Sequence, residues 1–219
     1  MAALSEFHPN ILIHVPNAPL PTVDRMLVDA AIEFCYRTKA LRESARFPAQ
    51  VGIGSYEISP SDTDLLIDQV LYVWHNDWEL LPAAPWMVNT PGALDATRPT
   101  GTPSSFYHRD DPAVADESIL EIYPAPDAVG DLQVVYSMRP KVTAKTLPTF
   151  LMRWWLNLSA GAVARLKRIP GMPWTGDPTD DRAEFERGVR EAAVIAETGR
   201  VGGERVMRAP APFARFAGR

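Results

Sequence analysis

From Val23 onward, apolar residues recur at steps of three and four. Val23, Leu27, Ala30, Ala31, Phe34, Thr38 and Leu41 share one side of a helix. Arg25, Asp29, Glu33, Arg37 and Lys39 lie mostly away from it. With Thr22 as a side-chain cap, the pattern predicts a helix from Val23 to about Glu43. Upstream, Pro9, Pro16, Pro19 and Pro21 predict an extended arm over residues 1–21.

The period changes after Phe47. Short segments rich in β-branched and aromatic residues follow, bounded by Gly, Pro, Asn and Asp: "AQVGIGSYEISP", "DLLIDQVLYVWHNDWELL", "SSFYHRDDPAVADESILEIYPAP" and "GDLQVVYSMRP". In the last, Leu132, Val134, Tyr136 and Met138 face one way, with Gln133, Val135 and Ser137 on the other side. "HND" and "DDPAVAD" read as hairpin turns. About six antiparallel strands fit this stretch, interrupted by Trp86 and the connection "NTPGALDATRPTGTP".

Beyond Pro140 the helical period returns. One helix is predicted from about Pro148 to Arg168. A second starts with Asp177 as N-cap and Pro178 at its first position, and stops at Gly199. The apolar side of the second helix, Phe185, Val189, Ala192 and Ala196, is narrow, as on a surface helix. The fold class that follows is α+β: a helical layer formed by the N- and C-terminal parts of the chain, with an inserted antiparallel β domain. The implied divisions are 1–45 (arm and first helix), 46–140 (inserted β domain), 141–199 (two helices completing the layer) and 200–219 (extended tail).

Trp154 and Trp155 are adjacent in the first of these later helices. Neighbours on a helix point about 100° apart. Between Leu147 and Ile169 the apolar side chains cover well over half the wheel, so this helix needs cover from two sides. Two arrangements remain open. In one, the first helix and the β domain of the same chain enclose it. In the other, a neighbouring subunit supplies the second surface, with Trp154 and Trp155 at an interface. Gly161, among Ala160, Ala162 and Ala164, permits close approach of another helix in either case.

Composition adds restraint rather than direction. The 219 residues carry a net charge of −5, which argues against a generic nucleic-acid coat. There is no apolar run of transmembrane length, and the N-terminus lacks the pattern of a secretory signal. A single cysteine, Cys35, rules out an internal disulfide. The 21 prolines, roughly twice the usual share, are spread along the chain and stiffen its connections.

Candidate chemistry is sparse. "YHRDDP" contains a His-Arg-Asp triplet, yet the following Asn spacing, the Gly-rich loop and the partner lysine of a kinase are missing; the triplet is expected in a hairpin turn. The glycines of "VGIGSYE" are expected in a strand and lack a phosphate-loop lysine. His8, His14, His75 and His108 are scattered without metal-ligand spacing, and "SDTD" at Ser61–Asp64 lacks the calcium-loop pattern. Cys35 sits in an apolar helix, where a small buried side chain is its expected role. No catalytic, cofactor-binding or metal-ligating residue is assigned, and no cofactor is expected.

Several pieces in order resemble the head-to-tail adaptor (neck or connector) proteins of tailed bacteriophages and phage-like particles: "AAIEFCYRT", the strand end "YPAP", "GAVARL", and "PGMPW" followed by "DPTDDRAEF". The similarity spans roughly residues 15–200. It implies a non-enzymatic virion protein of the phage neck, assembled in the host cytoplasm. It also implies a homo-oligomeric ring, commonly a dodecamer, beneath the portal. Such a ring binds the portal protein above and a tail, stopper or nozzle protein below. DNA passes through its channel without sequence-specific binding, and no membrane is involved. Another neck or tail structural protein, such as a nozzle or head-completion protein, is the alternative; a small soluble enzyme is a more distant one.

The C-terminal segment has its own character. Arg200, Arg205, Arg208, Arg215 and Arg219 stand against the single acid Glu204, in a chain that is acidic as a whole. Pro210 and Pro212 keep the segment extended, and an extended strip does not bury its own Phe213 and Phe216. Arg205, Arg208, Phe213, Arg215, Phe216 and Arg219 are therefore expected interface residues, docking on the portal or on an adjacent subunit.

Overall fold

The computed structural model of the chain describes residues 1–83, 99–110 and 118–198. Its class is α+β. The helices are α1 (His8–Leu12), α2 (Leu20–Thr38), α3 (Trp155–Lys167) and α4 (Thr179–Glu197), with 3₁₀ turns at Leu4–Glu6 and Thr149–Trp154. The strands are β1 (Ala2–Ala3), β2 (Arg42–Ala49), β3 (Ser55–Ile58), β4 (Leu65–His75), β5 (Trp78–Glu79) and β6 (Leu81–Pro82). They continue with β7 (Thr100–Gly101), β8 (Ser105–Asp110), β9 (Ser118–Tyr123), β10 (Ala125–Pro126), β11 (Gly130–Pro140) and β12 (Thr146–Leu147).

The predicted arm over residues 1–21 is not extended. It forms β1, which pairs antiparallel with β12, then a 3₁₀ turn and α1. Proline did not prevent this because Pro9 lies in the first turn of α1, where a missing N–H costs nothing. Phe7, Ile11 and Val15 are spaced by four and are fully buried, so an apolar stripe along α1 and its flanks ties the arm to the core. His8 Nε2 lies 2.6 Å from Asp24 Oδ1 and links the arm to α2.

Helix α2 buries Val23, Leu27, Ala30, Ala31, Phe34 and Thr38, as the period predicts, together with Val28 and Cys35. It ends at Thr38 rather than near Glu43. Lys39 turns into the left-handed region at φ 49°, and its N–H still reaches Cys35 O at 2.9 Å. Leu41 fits the helical period but lies beyond the helix, in the bend just before β2, where its carbonyl accepts from Met138 N at 2.9 Å. Pro19, not Thr22, occupies the N-cap position.

One four-stranded sheet has the order β2-β11-β4-β5, with every pairing antiparallel. Strand β11 is its centre. Leu132, Val134, Tyr136 and Met138 are buried on one face. Val135 and Ser137 on the other face are buried too, and α2 packs against this strand. The β4–β5 hairpin turns at Asn76 and Asp77, both at positive φ (48° and 69°), matching the predicted "HND" turn. Its tip is tied to the start of β11: Asn76 N donates to Asp131 O at 3.0 Å, and Asp131 N donates to Asn76 Oδ1 at 2.8 Å.

The second sheet has the order β3-β9-β8-β6, and here β6 runs parallel to β8. A further parallel pair joins β7 and β10. The predicted block was antiparallel throughout; these two short parallel pairs depart from it. Strands β8 and β9 pair antiparallel, while most of "DDPAVAD" between them falls outside the described residues. His108, Arg109 and Asp110 lie in strand β8, not in a turn. Gly52 and Gly54 precede β3 instead of lying within a strand, and Gly52 takes φ 75° in a turn.

Candidate assembly surface

The segment predicted as one helix from Pro148 consists of two. Thr149–Trp154 forms 3₁₀ turns and α3 starts at Trp155. Trp154, at φ −110° and ψ 19°, is the joint. A continuous wheel therefore misplaces the two indoles. Trp154 is 5% exposed, whereas Trp155 is 37% exposed and Leu156 54% exposed.

The second cover on α3 comes from the same chain, but from α4 rather than from the β block. Helix α3 packs against α2, α4 and α1. Phe34 of α2 joins the three main helices, with its ring centroid 5.7 Å from Trp154 and 6.3 Å from Phe185. Gly161 faces Phe185: a Cβ there would lie 2.5 Å from the ring. Gly188 of α4 faces Asn157, where a Cβ would approach within 2.4 Å. These two glycines allow α3 and α4 to touch closely. They also fix direction, since residue 161 meets 185 and 157 meets 188, so α4 runs back toward the start of α3.

Gly188→Ala tests this contact. Asn157 cannot swing away freely, because its Nδ2 donates to Glu184 O and Oε1, both at 3.0 Å. Alanine gains about 1 kcal/mol in helix propensity. Overpacking costs about 1–3 kcal/mol, and the lost Asn157 bonds add about 1 kcal/mol more. The expected net result is a destabilisation of about 1–3 kcal/mol, read as a lower urea midpoint. A higher midpoint would refute the close contact.

A polar rim closes over the aromatic trio. Arg37 makes a bidentate pair with Glu186, at 2.8 and 2.6 Å, and reaches Glu33 at 3.0 Å. Arg165 donates to Gly161 O at 2.8 Å and to Glu33, with its guanidinium 5.3 Å from the Phe185 ring centre. The hydrogen bond to Arg37 holds the Glu186 carboxyl below the usual carboxylate range, and the same bond raises Arg37. Lys167 of α3 pairs with Asp181 of α4 at 2.6 Å. These groups are partly exposed, so they fix alignment more than they add stability.

Just past the same C-terminal end of α2, Lys39 and Arg139 flank the buried carboxylate of Asp68 on β4. This ties the helix end to the sheet. Cys35 lies fully buried nearby, and its thiol is pushed up to about 12 by burial first and by Asp68 second. It is a packing residue at neutral pH. His108 is lowered from its ordinary value, chiefly by burial. Among the described residues, no group of three or more His, Cys, Asp or Glu is placed to hold a metal ion. No described helix is long and apolar enough to cross a membrane.

Some apolar side chains stay exposed at one end of the helices. Trp155 and Leu156 start α3, and Val194, 59% exposed, sits in the last turns of the returning α4. Residues 199–219 follow from that helix. Of the expected interface residues, the structure places Trp154 inside and Trp155 outside. Arg205, Arg208, Phe213, Arg215, Phe216 and Arg219 lie outside the described residues. One exposed aromatic carried no weight in the sequence: Trp78, the first residue past the "HND" turn. Its signal was its position at the end of a two-residue hairpin, where a side chain has few neighbours to cover it.

No curated protein matches the chain. A family model does, that of the SU10 adaptor protein, over residues 8–211, and so takes in α1 through α4 and part of the basic tail. With that match across nearly the whole chain, it belongs to the SU10 adaptor protein family and is a phage structural adaptor.

Proposed function

We propose that the chain is a structural, non-enzymatic component of the phage neck that forms a ring, a dodecamer, joining the portal protein to a tail, stopper or nozzle protein. DNA passes through the ring without sequence-specific contact. The family match carries this reading. The exposed Trp155 and Leu156 support it, since an aromatic at a surface helix start is what an interface core uses. In this reading the helical layer from both chain ends, with the β block 46–140 inserted, is the body of each subunit. Trp155 packs against the neighbouring copy, backed by Trp154 beneath it. Arg205, Arg208, Phe213, Arg215, Phe216 and Arg219 dock on the portal or the adjacent subunit.

Particle imaging tests the ring: density for this chain abutting the portal is expected, and its location elsewhere in the particle refutes the assignment. Deleting residues 204–219 tests the tail. The truncated chain should stay folded, with an unchanged circular dichroism spectrum, and lose attachment to portal-bearing heads. Normal retention of that variant in a pull-down on heads would sink the tail's role.

A further inference from the structure

Two turns meet at one corner of the first sheet. The β4–β5 hairpin carries Asp77 in its turn and Trp78 and Glu79 in β5, while Asp127 and Val129 precede β11 and Asp131 lies at its start; all six side chains are exposed. Trp78 and Val129 are each 73% exposed, and among the described large apolar residues only Ile13 is more so. The reciprocal bonds between Asn76 and Asp131 hold the turns together. His75 fills the space between them, 6% exposed, its Nε2 without a hydrogen-bond partner among the described residues. Gly130 lies so close that a Cβ there would be 2.5 Å from this nitrogen. The corner is thus a rigid apolar ledge rimmed by four carboxylates, with Arg46 as its nearby cation, 3.9 Å from Asp131.

The chain itself contains the complementary strip. Residues 200–219 hold five arginines against one acid, with Phe213 and Phe216 between them. We propose that in the free subunit this tail folds back and docks on the Trp78–Val129 corner of its own chain. The two phenylalanines lie against Trp78 and Val129, and the arginines pair with Glu79, Asp127 and Asp131. Reach is no obstacle. The segment 199–219 spans up to roughly 70 Å when extended, while a compact body of this size has a radius of gyration of roughly 16 Å. Tethering gives the tail an effective local concentration of about a millimolar, well above that of any separate copy in dilute solution. The proposal rests on the tail being a docking segment, and adds where it sits before assembly: the corner keeps its phenylalanines covered until a partner takes them.

The test uses the full-length chain with the photo-crosslinker p-benzoylphenylalanine in place of Phe213 or Phe216. It is irradiated in dilute solution as an equal mixture of ¹⁴N and ¹⁵N copies, and the linked peptides are mapped by mass spectrometry. Links within one copy, to residues 72–79 or 127–131, are expected. Their yield should fall about fivefold between 50 mM and 500 mM salt, as screening shortens the reach of the arginines. Glu79→Lys with Asp127→Lys should cause a similar loss, and adding Arg205→Glu and Arg208→Glu should restore the links. Trp78→Ser should weaken them through the apolar contact. All these positions are exposed or in the tail, so thermal midpoints should hold. Links spread over other elements, links unmoved by charge reversal, or links mainly between ¹⁴N and ¹⁵N copies would each overturn the proposal. Its failure leaves the ring and the head-attachment result standing, because those are read on particles and heads.

Discussion

A chain lacking residues 1–18 should show no cooperative urea transition at 25 °C. Three side chains decide this. Phe7, Ile11 and Val15 are each 0% exposed. Burying one such side chain contributes about 1.5–3 kcal/mol, so the three together account for about 5–9 kcal/mol before allowing for a compact unfolded state. That is comparable with the whole stability of an ordinary domain, about 5–15 kcal/mol. The deletion also removes the β1 pairing with β12, where Ala2 faces Leu147, and the His8–Asp24 link. A truncated chain with the midpoint of the full chain would mean that the arm is not part of the core.

Phe34→Ala should lower stability by about 3–5 kcal/mol. The side chain is fully buried, and its ring lies between Trp154 and Phe185. Removing it leaves a cavity where three helices meet, and backbones held by Gly161 and Gly188 have little room to collapse into it. Coupling makes the test sharper. In a double-mutant cycle with Trp154→Phe, the two losses should fall short of additivity by about 0.5–1.5 kcal/mol. A near-neutral Phe34→Ala would reject this packing.

Parts of this architecture can be read directly from residue order. The apolar period of α2, the buried face of β11, the Asn76–Asp77 hairpin and the small-residue approach at Gly161 all rest on local rules, and all four are found in the structure. Other parts depend on distant residues. Leu41 continues the α2 period in number, yet it lies past the helix, tied by a hydrogen bond to Met138, far along the chain. The arm is rich in proline, but Phe7, Ile11 and Val15 gain enough by burial to override an extended preference. The wheel for residues 147–169 assumed one twist, whereas the 3₁₀ turns before Trp155 use another. The candidate surface was legible only in its chemistry: adjacent indoles had to point in different directions, and the joint at Trp154 leaves Trp155 as the more exposed one.

The distance along the chain between helical partners sets the order of events during synthesis. Arg37 and Glu186 are 149 positions apart, and Glu33 and Arg165 are 132 apart. While the ribosome makes the β strands, α2 has neither α3 nor α4 to cover Phe34. At roughly 5–20 residues per second, the interval from α2 to α3 lasts about ten seconds. Throughout it the apolar side of α2 must be shielded by the arm, by β11 once that strand emerges, or by a cellular holdase. The final closure is therefore a late event that waits for α3 and α4, and nascent copies emerging side by side on one message are exposed to exchanging these helices before each has captured its own.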